Sequence, residues 1–378
     1  MATARIAALL AALLLVPVAA ADAKPTSVKV MTRNLYLGAD LGPGMRATSL
    51  QELVNGAGQI LNQVDANNFP ARANELAKEI RSTNPDLIGL QEAALWRTQP
   101  CDRSPIPPSA TTVRYDYIAA LLAQINAGKK LYRVAVVKPE FDFEVWANTD
   151  GNEATAGPGC PMGSEINGRL TMRDAILVRN GVSVSHPRTG TFHTLLRVKP
   201  AGVNVDVTRG WTSIDARVRG KKFHFVNTHL EAFDNNPTTN STNTGKDVGN
   251  GQIRQAQAKE LVARGGPARS KLPVMLVGDL NSDVKTEVKK GDSLAYRALL
   301  KADFVERSTT QNGCCLNADV LSASGGGSRK DFNHRVDHVM TNAAKKVKML
   351  SSAITGGEPF QGWWGSDHQG LVSTLRLR

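Results

Sequence analysis

The segment NPDLIGLQEA, residues 84–93, carries the strongest indication of the fold. Asn84 and Pro85 end the helical pattern of residues 70–85, because a proline disfavours helical backbone in the residue before it. The apolar run that follows is short and does not alternate with polar residues, which is typical of a strand buried on both faces. Glu92 comes directly after this run. A carboxylate held at the end of a buried strand predicts a layered α/β fold with its site at the strand ends.

The same pattern recurs along the chain, since an apolar run is repeatedly followed by a carboxylate, an amide or an imidazole. We predict strands over 27–35, 86–93, 173–179, 212–219, 221–230, 272–281, 335–342 and 370–378. The polar residues at their ends are Asn34, Glu92, His229, Asp279, Asn281, Asp337, His338, Asp367 and His368. If one edge of the fold gathers these side chains, they form a single site.

Helical patterns are interleaved with these strands at 70–85, 115–130, 250–266 and 292–304. There is no strict strand–helix alternation, so a sandwich of mixed sheets with flanking helices is favoured over a barrel. The segments 97–114, 147–168 and 233–250 are rich in Pro, Gly, Asn and Thr, and we expect them to be surface loops. We see no repeat and no domain boundary, and predict one domain over residues 24–378.

The first residues predict export. Arg5 precedes the apolar run IAALLAALLLVPVAAADA, which ends in small residues. A charged start, an apolar core and an A-x-A-like end are typical of a secretory signal peptide, here residues 1–23. A membrane anchor is the alternative, but the run is short and Pro17 interrupts it. We therefore expect a secreted or periplasmic protein.

Charge and cysteines agree with that location. The formal net charge of +12 favours anionic partners such as nucleic acid, phospholipid headgroups or phosphate esters. The four cysteines form an even set, which in an exported protein suggests disulfides. We prefer Cys101–Cys160 with Cys314–Cys315, although three pairings are open. No cysteine or histidine spacing here suggests a structural zinc site.

The residue types at the strand ends point to a hard cation. Oxygen donors dominate and cysteine is absent, which suits Mg²⁺, Mn²⁺ or Ca²⁺ better than Zn²⁺. The histidines remain available to move protons. Two hydrolase alternatives fit less well. Ser366, Asp367 and His368 are consecutive, so their side chains cannot converge as a triad, and no G-x-S-x-G motif is present. A dinuclear phosphatase would want His after the GD of 278–279, where this chain has Leu280.

Together these motifs resemble the endonuclease/exonuclease/phosphatase superfamily, the DNase I-like phosphodiesterases. The matching pieces are TRNLY, PDLIGLQEA, FVNTHLEA, VGDLNSD, RVDHVM and GSDHQGLV, in the order of the family. They run from residue 32 to residue 372. The resemblance implies a four-layer α/β/β/α sandwich, with two mixed sheets between helices. It also implies hydrolysis of a phosphate ester by water with a divalent metal, Mg²⁺ or else Mn²⁺ or Ca²⁺.

The resemblance also implies a set of site residues. The expected metal-binding residues are Asn34, Glu92, Asp279, Asn281 and Asp367. The expected catalytic residues are His229, Asp279, Asn281, Asp337 and His368. In this scheme Asp279 and Asn281 handle the attacking water and the phosphate, and Asp337 orients His368 as the general base or acid. His229 contacts the phosphate or the leaving group.

Three residues fit the resemblance less closely. Asp174 is a candidate for the carboxylate that some family members place behind the first histidine. Arg209 could approach a phosphate, or could be an exposed arginine. His338 stands where other members carry different residues, and we interpret it as support rather than as a catalytic group.

Fold alone does not choose the substrate. A secreted nuclease acting on DNA or RNA is our first expectation, since basic charge supplies phosphate contacts. A sphingomyelinase-like phospholipase C acting at a membrane surface is the alternative, with Trp363 and Trp364 as candidate lipid contacts. A phosphomonoesterase is a third option. We expect a monomer with a phosphate-ester substrate and no stable protein partner.

Overall fold

The computed structural model describes residues 27–101, 104–233, 251–282 and 292–378. The predicted signal peptide, residues 1–23, and nearly all of the predicted loop 233–250 lie outside these ranges. No helix within the described ranges is both long enough and apolar enough to cross a bilayer.

Helices and strands alternate irregularly along the chain. The helices are α1 (Gly42–Met45), α2 (Leu50–Ala66), α3 (Phe69–Thr83), α4 (Tyr117–Ile125), α5 (Gln252–Val262) and α6 (Leu294–Lys301). The strands are β1 (Ser27–Asn34), β2 (Leu87–Gln91), β3 (Leu95–Pro100), β4 (Thr112–Asp116), β5 (Tyr132–Ala147), β6 (Ile166–Arg179), β7 (Ser183–Thr191), β8 (Leu196–Val198), β9 (Val205–Val207), β10 (Gly210–Val218), β11 (Lys221–His229), β12 (Val274–Asp279), β13 (Val305–Glu306), β14 (Asp337–Thr341), β15 (Val347–Thr355) and β16 (Gly370–Leu377).

Two mixed sheets form the centre of the fold. The first has the order β15-β16-β1-β2-β6-β3-β4, with β5 also paired to β6. The second has the order β13-β14-β12-β11-β10-β7. Each contains one parallel pair, β1 with β2 and β11 with β12, and the other pairs are antiparallel. A short hairpin of β8 and β9 stands apart from both sheets.

Side chains that alternate along the strands divide the core into layers. Met31 and Ile88 face helices α2 to α4, whereas Val30 and Leu87 face the second sheet. The other face of the second sheet packs against α5 and α6. The result is the predicted four-layer α/β/β/α sandwich, with both sheets covered by helices on their outer faces.

The two sheets approach closely at Gly89 of β2. A Cβ atom added there would lie 2.5 Å from the Asn227 Oδ1 atom and 2.6 Å from the Val277 Cγ2 atom, both on the second sheet. The Asn227 side chain crosses the gap, donating to the carbonyl oxygen of Leu90 at 3.0 Å. Glycine is therefore needed at position 89, three residues before Glu92, for the two sheets to come into contact.

The predicted strands and helices are present with shifts of a few residues at their ends, but two predicted loops are partly wrong. Residues 95–100 and 112–116 form β3 and β4, which overlap the two ends of the predicted loop 97–114, and β6 begins at residue 166, within the predicted loop 147–168, rather than at 173. The apparent loop composition reflects edge strands, since β4 is largely exposed and its side chains need no apolar pattern. Sequence patterns also missed the long helix α2, which is amphipathic and packs its apolar face on the first sheet.

Both preferred cysteine pairs are joined. The Cys101–Cys160 disulfide, with a Cα–Cα distance of 5.2 Å, ties the end of β3 to the loop before β6. The Cys314–Cys315 pair lies in the segment between β13 and β14. The predicted pairing of Cys101 with Cys160 is confirmed.

We predict that Gly89→Ala destabilises the fold by about 1–3 kcal/mol, because the added methyl group has no room between the sheets. Urea unfolding followed by circular dichroism measures this loss. Gly313→Ala is the matched control, since a Cβ atom there meets its nearest neighbours only at 3.6 Å or more. Equal stability of the two variants would contradict the close approach of the sheets at Gly89.

Candidate active site

The strand ends meet at one edge of the sandwich. In the parallel pairs, Asn34 lies beside Gln91 and His229 beside Asp279, so the carboxyl ends of these four strands point the same way. The antiparallel strand β14 starts at the same edge, where Asp337 pairs with Asp279. The structure therefore brings together residues that are far apart in the sequence.

Asn34 joins two of the expected metal-binding carboxylates. Its Nδ2 atom donates to Glu92 Oε1 at 3.1 Å and to Asp279 Oδ2 at 3.0 Å. Its Oδ1 atom accepts from the backbone N–H of Tyr36 at 2.9 Å. Asn34 was expected to offer oxygen to a metal, but here it presents nitrogen to both carboxylates and so positions them relative to each other.

Asp279 lies at the centre of the group. Its Oδ1 atom accepts from the backbone N–H of Asn281, and its Oδ2 atom lies 3.6 Å from the Nε2 atoms of both His229 and His368. Burial raises the pKa of Asp279 to about 7, while the His368 imidazole opposes this rise and Asp337 adds to it. A carboxylate with this pKa, placed between two imidazoles, is suited to exchanging protons near neutral pH.

His368 is fixed by Asp337. The Nδ1 atom of His368 lies 2.7 Å from Asp337 Oδ2, so the ring directs Nε2 toward Asp279. Burial acts to lower the pKa of His368, but Asp337, Asp279 and Asp367 outweigh it and hold the pKa well above its usual range. This pairing of a carboxylate with an imidazole is the one that the family resemblance implied for these two residues.

His229 has the opposite electrostatic environment. Its Nδ1 atom faces Arg209 Nη1 at 3.1 Å, and its Nε2 atom faces Asn281 Nδ2 at the same distance. Both neighbours are donors, since Asn281 Nδ2 also donates to the carbonyl oxygen of Leu230. Burial, Arg209 and His368 hold the pKa of His229 well below its usual range. The two histidines thus differ, one favouring the charged form and the other the neutral form.

Arg209 is buried rather than exposed, which excludes the second of the two alternatives that its sequence position left open. Only 6% of its surface is accessible, and its Nε atom lies 3.3 Å from Glu231 Oε2. Burial acts to lower its pKa, but Glu231 and Glu140 outweigh this and raise it. Arg209 is therefore a structural cation that contacts His229 directly, held by Glu231 two residues after that histidine.

The prediction of Asp174 as the carboxylate behind His229 is wrong, because the guanidinium of Arg209 occupies that position. Asp174 is fully buried in β6, and neither of its carboxylate oxygens has a hydrogen-bond partner among the described residues. Burial and the nearby carboxylate of Glu140 hold the pKa of Asp174 well above its usual range, although Arg209 opposes them. Asp174 therefore favours its neutral form.

The site as a whole has an excess of negative charge. The site contains four carboxylates, those of Glu92, Asp279, Asp337 and Asp367. It contains one imidazole whose pKa is raised, that of His368. Burial and the Glu92 carboxylate raise the pKa of Asp367, while His368 opposes them. The Oδ1 atom of Asp337 is buried and has no protein partner within the described part of the chain. Crowded carboxylate oxygens without enough cations fit a divalent ion with a preference for oxygen.

The residues around His368 are explained by packing. Ser366 Oγ accepts from the His368 backbone N–H at 3.1 Å and so shapes the turn. Trp364 is 4% exposed and packs edge-on against Phe332, with ring centroids 5.7 Å apart. Trp364 therefore lies in a small interior cluster, away from any surface that could contact lipid. Cys314 Sγ lies 3.6 Å from His368 Nε2, so the Cys314–Cys315 disulfide borders the imidazole.

A sequence profile described as the endonuclease/exonuclease/phosphatase family matches residues 54–368. The chain belongs to this family. Members act as hydrolases on phosphate esters and generally use divalent metal ions. The family resemblance predicted from the strand-end motifs is thereby confirmed, as is the DNase I-like fold class.

Several solved structures are similar to this chain over nearly its whole length. An endonuclease/exonuclease/phosphatase family protein from Bacteroides thetaiotaomicron is 15% identical, with a TM-score of 0.50 over 94% of this chain and 100% of that chain. A mannosyl-6-phosphatase from Bacteroides thetaiotaomicron VPI-5482 is 15% identical, with a TM-score of 0.49 over 92% and 99%. TDP2 from D. rerio, complexed with a single-strand DNA product, is 15% identical, with a TM-score of 0.49 over 93% and 99%. A comparison with curated proteins found no match.

Sequence patterns missed the residues that support the site. Glu231 could have been found, because it follows His229 by two positions in FVNTHLEA and so continues the same strand end. Cys314 gave no such signal, since its contact with His368 joins residues 54 positions apart. His338 is held by Glu306 Oε2 at 2.8 Å and by the carbonyl oxygen of Ser282 at 3.2 Å, which is a supporting arrangement.

We predict that Arg209→Met destabilises the fold by about 3–5 kcal/mol, because it leaves the buried Glu231 without its cation. Chemical denaturation of the purified variant measures the loss. Arg329→Met is the control, since Arg329 pairs with Glu358 while 71% of its side chain is exposed, and its stability should not change. Similar stabilities of the two variants would show that Arg209 is not an essential buried cation.

Proposed function

We propose that this protein is an exported, divalent-metal-dependent phosphodiesterase that cleaves its substrate with an activated water molecule. The observation that carries this proposal is the pair of imidazoles placed on either side of Asp279, each with an Nε2 atom 3.6 Å from Asp279 Oδ2. A phosphate placed at this point meets one imidazole of raised and one of lowered pKa. The family membership supports hydrolysis of a phosphate ester in general.

We assign the chain's own groups as follows. Asp279 orients the attacking water and accepts its proton, and the backbone N–H of Asn281 holds the Asp279 carboxylate in place. His368, oriented by Asp337, donates a proton to the leaving oxygen as the bond between that oxygen and phosphorus breaks. His229 keeps a neutral ring against the phosphate or the leaving group, with Arg209 behind it. No covalent intermediate is required.

The family resemblance assigns a divalent ion to Glu92, Asp279 and Asp367, with Asn34 orienting the first two. Asn281, the remaining expected metal residue, here uses its amide to orient His229. When bound, such an ion supplies positive charge for the phosphate oxygens. Mg²⁺ is our first choice, with Mn²⁺ and Ca²⁺ as alternatives.

Two substrate classes have support. Nucleic acid is favoured by the net charge of +12, which attracts a polyanion. A phosphate ester with an apolar group is favoured by an apolar pocket beside Arg209, described below. Export rests on the predicted signal peptide of residues 1–23, and we propose a monomer without a stable protein partner.

The experiment that tests the metal-dependent activity uses a substrate panel. Plasmid DNA, sphingomyelin liposomes and bis-(p-nitrophenyl) phosphate are each incubated with Mg²⁺, and with EDTA. We expect hydrolysis of at least the small diester with Mg²⁺ and none with EDTA. Failure on every substrate with each of Mg²⁺, Mn²⁺ and Ca²⁺ would refute the proposed activity.

The carboxylate assignment is tested in the same assay with Glu92→Gln. We expect its activity to fall by at least about 100-fold at limiting Mg²⁺, because a neutral amide binds the ion more weakly. Glu153→Gln is the matched control at an exposed position and should retain full activity. Full metal-dependent activity in Glu92→Gln would remove Glu92 from the site.

We predict that His368→Ala lowers kcat by about 100-fold to 10,000-fold, because a positioned imidazole that transfers protons contributes about that factor. Metal affinity, measured by calorimetry, should remain within a few-fold of the parent value. His193→Ala is the control, since 97% of that side chain is exposed. Loss of metal binding in His368→Ala would instead make His368 a metal ligand.

A further inference from the structure

An apolar pocket lies beside the active site. It is enclosed by α1 and α2, by strands β3, β5 and β6, and by the β8–β9 hairpin. The space inside it that a water-sized group can reach is about 110 Å³. About 10–15 Å³ of such space admits one water-sized group. The pocket therefore has room for a short hydrocarbon chain.

The chemistry of the lining selects against a polar occupant. Arg209 is the one charged side chain among the described residues that line it, and the others are aliphatic, aromatic or glycine. The indole N–H of Trp96 is already used, since it donates to the carbonyl oxygen of Leu37 at 2.9 Å. A nucleobase offers polar edges that need hydrogen-bond partners, and this lining offers few.

Two structural links join the pocket to the catalytic groups. Arg209 lines the pocket and also contacts His229 Nδ1 at 3.1 Å. On the opposite side, the carbonyl oxygen of Leu37 accepts from Trp96 of the lining, and its N–H donates to Glu92 Oε2 at 2.8 Å. The lining is thus connected to His229 through Arg209, and to Glu92 through Leu37.

The mouth of the pocket leaves apolar side chains in contact with solvent. Phe141, Phe143, Val198, Val207 and Phe233 all line the pocket and are only partly buried. Covering such surface with hydrocarbon is favourable, at about 0.8 kcal/mol for each methylene group removed from water. A polar occupant would gain nothing comparable.

We propose that this pocket binds the hydrocarbon chain of an amphiphilic phosphate ester whose phosphate lies at the His229–His368 site. The inference rests on the proposed function and names its substrate class. Arg209 joins the lining to His229, which places the apolar pocket next to the phosphate site. The pocket thereby favours an aliphatic phosphodiester over nucleic acid.

The test uses p-nitrophenyl phosphodiesters whose second ester group is methyl, butyl or octyl, at concentrations where each is monomeric, with Mg²⁺. All three share one leaving group and one charge, so differences in kcat/KM report the chain. We expect kcat/KM to rise up to about fourfold for each methylene group that enters the pocket, which corresponds to about 0.8 kcal/mol. The p-nitrophenyl ester of thymidine 5′-monophosphate tests a nucleobase in place of the alkyl chain. Its kcat/KM should not exceed that of the methyl ester.

Val198→Glu tests whether the pocket causes the preference. Val198 is half-buried in β8 and lines the pocket, so a carboxylate there opposes burial of the hydrocarbon chain. We expect kcat/KM for the octyl ester to fall at least about tenfold, with the methyl ester changed by less than about twofold. Val113→Glu makes the same substitution at a valine that is 57% exposed and outside the lining, and should change neither.

The outcomes separate the pocket from the proposed function. If the wild-type protein hydrolyses none of the esters, the proposed function fails. If it hydrolyses the methyl ester without gain from longer chains, or if Val198→Glu lowers both esters equally, the pocket inference alone is overturned. If the thymidine ester is preferred and loses that preference in Val198→Glu, the occupant is a nucleobase and the inference is again overturned. The wild-type chain-length series decides the matter even if a variant does not fold.

Discussion

The structure depends on a buried polar contact between the two sheets, centred on Asn227. This residue lies on β11 with no solvent exposure, and its Nδ2 atom reaches the carbonyl oxygens of Leu90 and Ala175 on the first sheet. Its Oδ1 atom accepts from the side chain of Gln91, whose Oε1 in turn accepts from Thr32. A buried amide left without partners costs about 1–3 kcal/mol, so this network permits one alignment of the sheets. That alignment holds the end of β2, directly before Glu92, against β11.

Two buried arginines, each paired with a glutamate, hold the histidines of the site. Arg33 lies fully buried, pairs with Glu79 of α3 at 3.1 Å, and donates to the carbonyl oxygen of His368. Arg209 has the corresponding role in the second sheet, where it binds Glu231 and faces His229. Each histidine is therefore held by a buried arginine whose own charge is compensated by a glutamate. Buried ion pairs of this type add little net stability, and their benefit here is a fixed geometry.

Much of the fold and the positions of the polar strand ends could be predicted from the sequence, because both depend on local patterns. A buried strand such as 87–91 is recognised by its composition, and the residue after it is then placed at an edge. The supporting contacts could not be predicted in this way. Arg209 resembles an ordinary surface arginine until the fold places it beside His229, and Asp174 was assigned its position because a carboxylate was expected there. The β4 strand was missed for a related reason, since an exposed strand carries a weak pattern. The α2 helix has a clear apolar stripe and could have been predicted from the sequence.

The pairing of β1 with β16 joins the first and the last strand of the described chain, with Ser27 beside Arg376. Asn34 stands at the end of the first of these strands and His368 just before the second. The site thus requires contacts between residues more than three hundred positions apart, which form late because closing so long a loop costs entropy. A nascent chain that still lacks β16 cannot hold the His368 imidazole against the carboxylates. The topology itself therefore delays assembly of the site until β16 has been synthesised and has paired with β1.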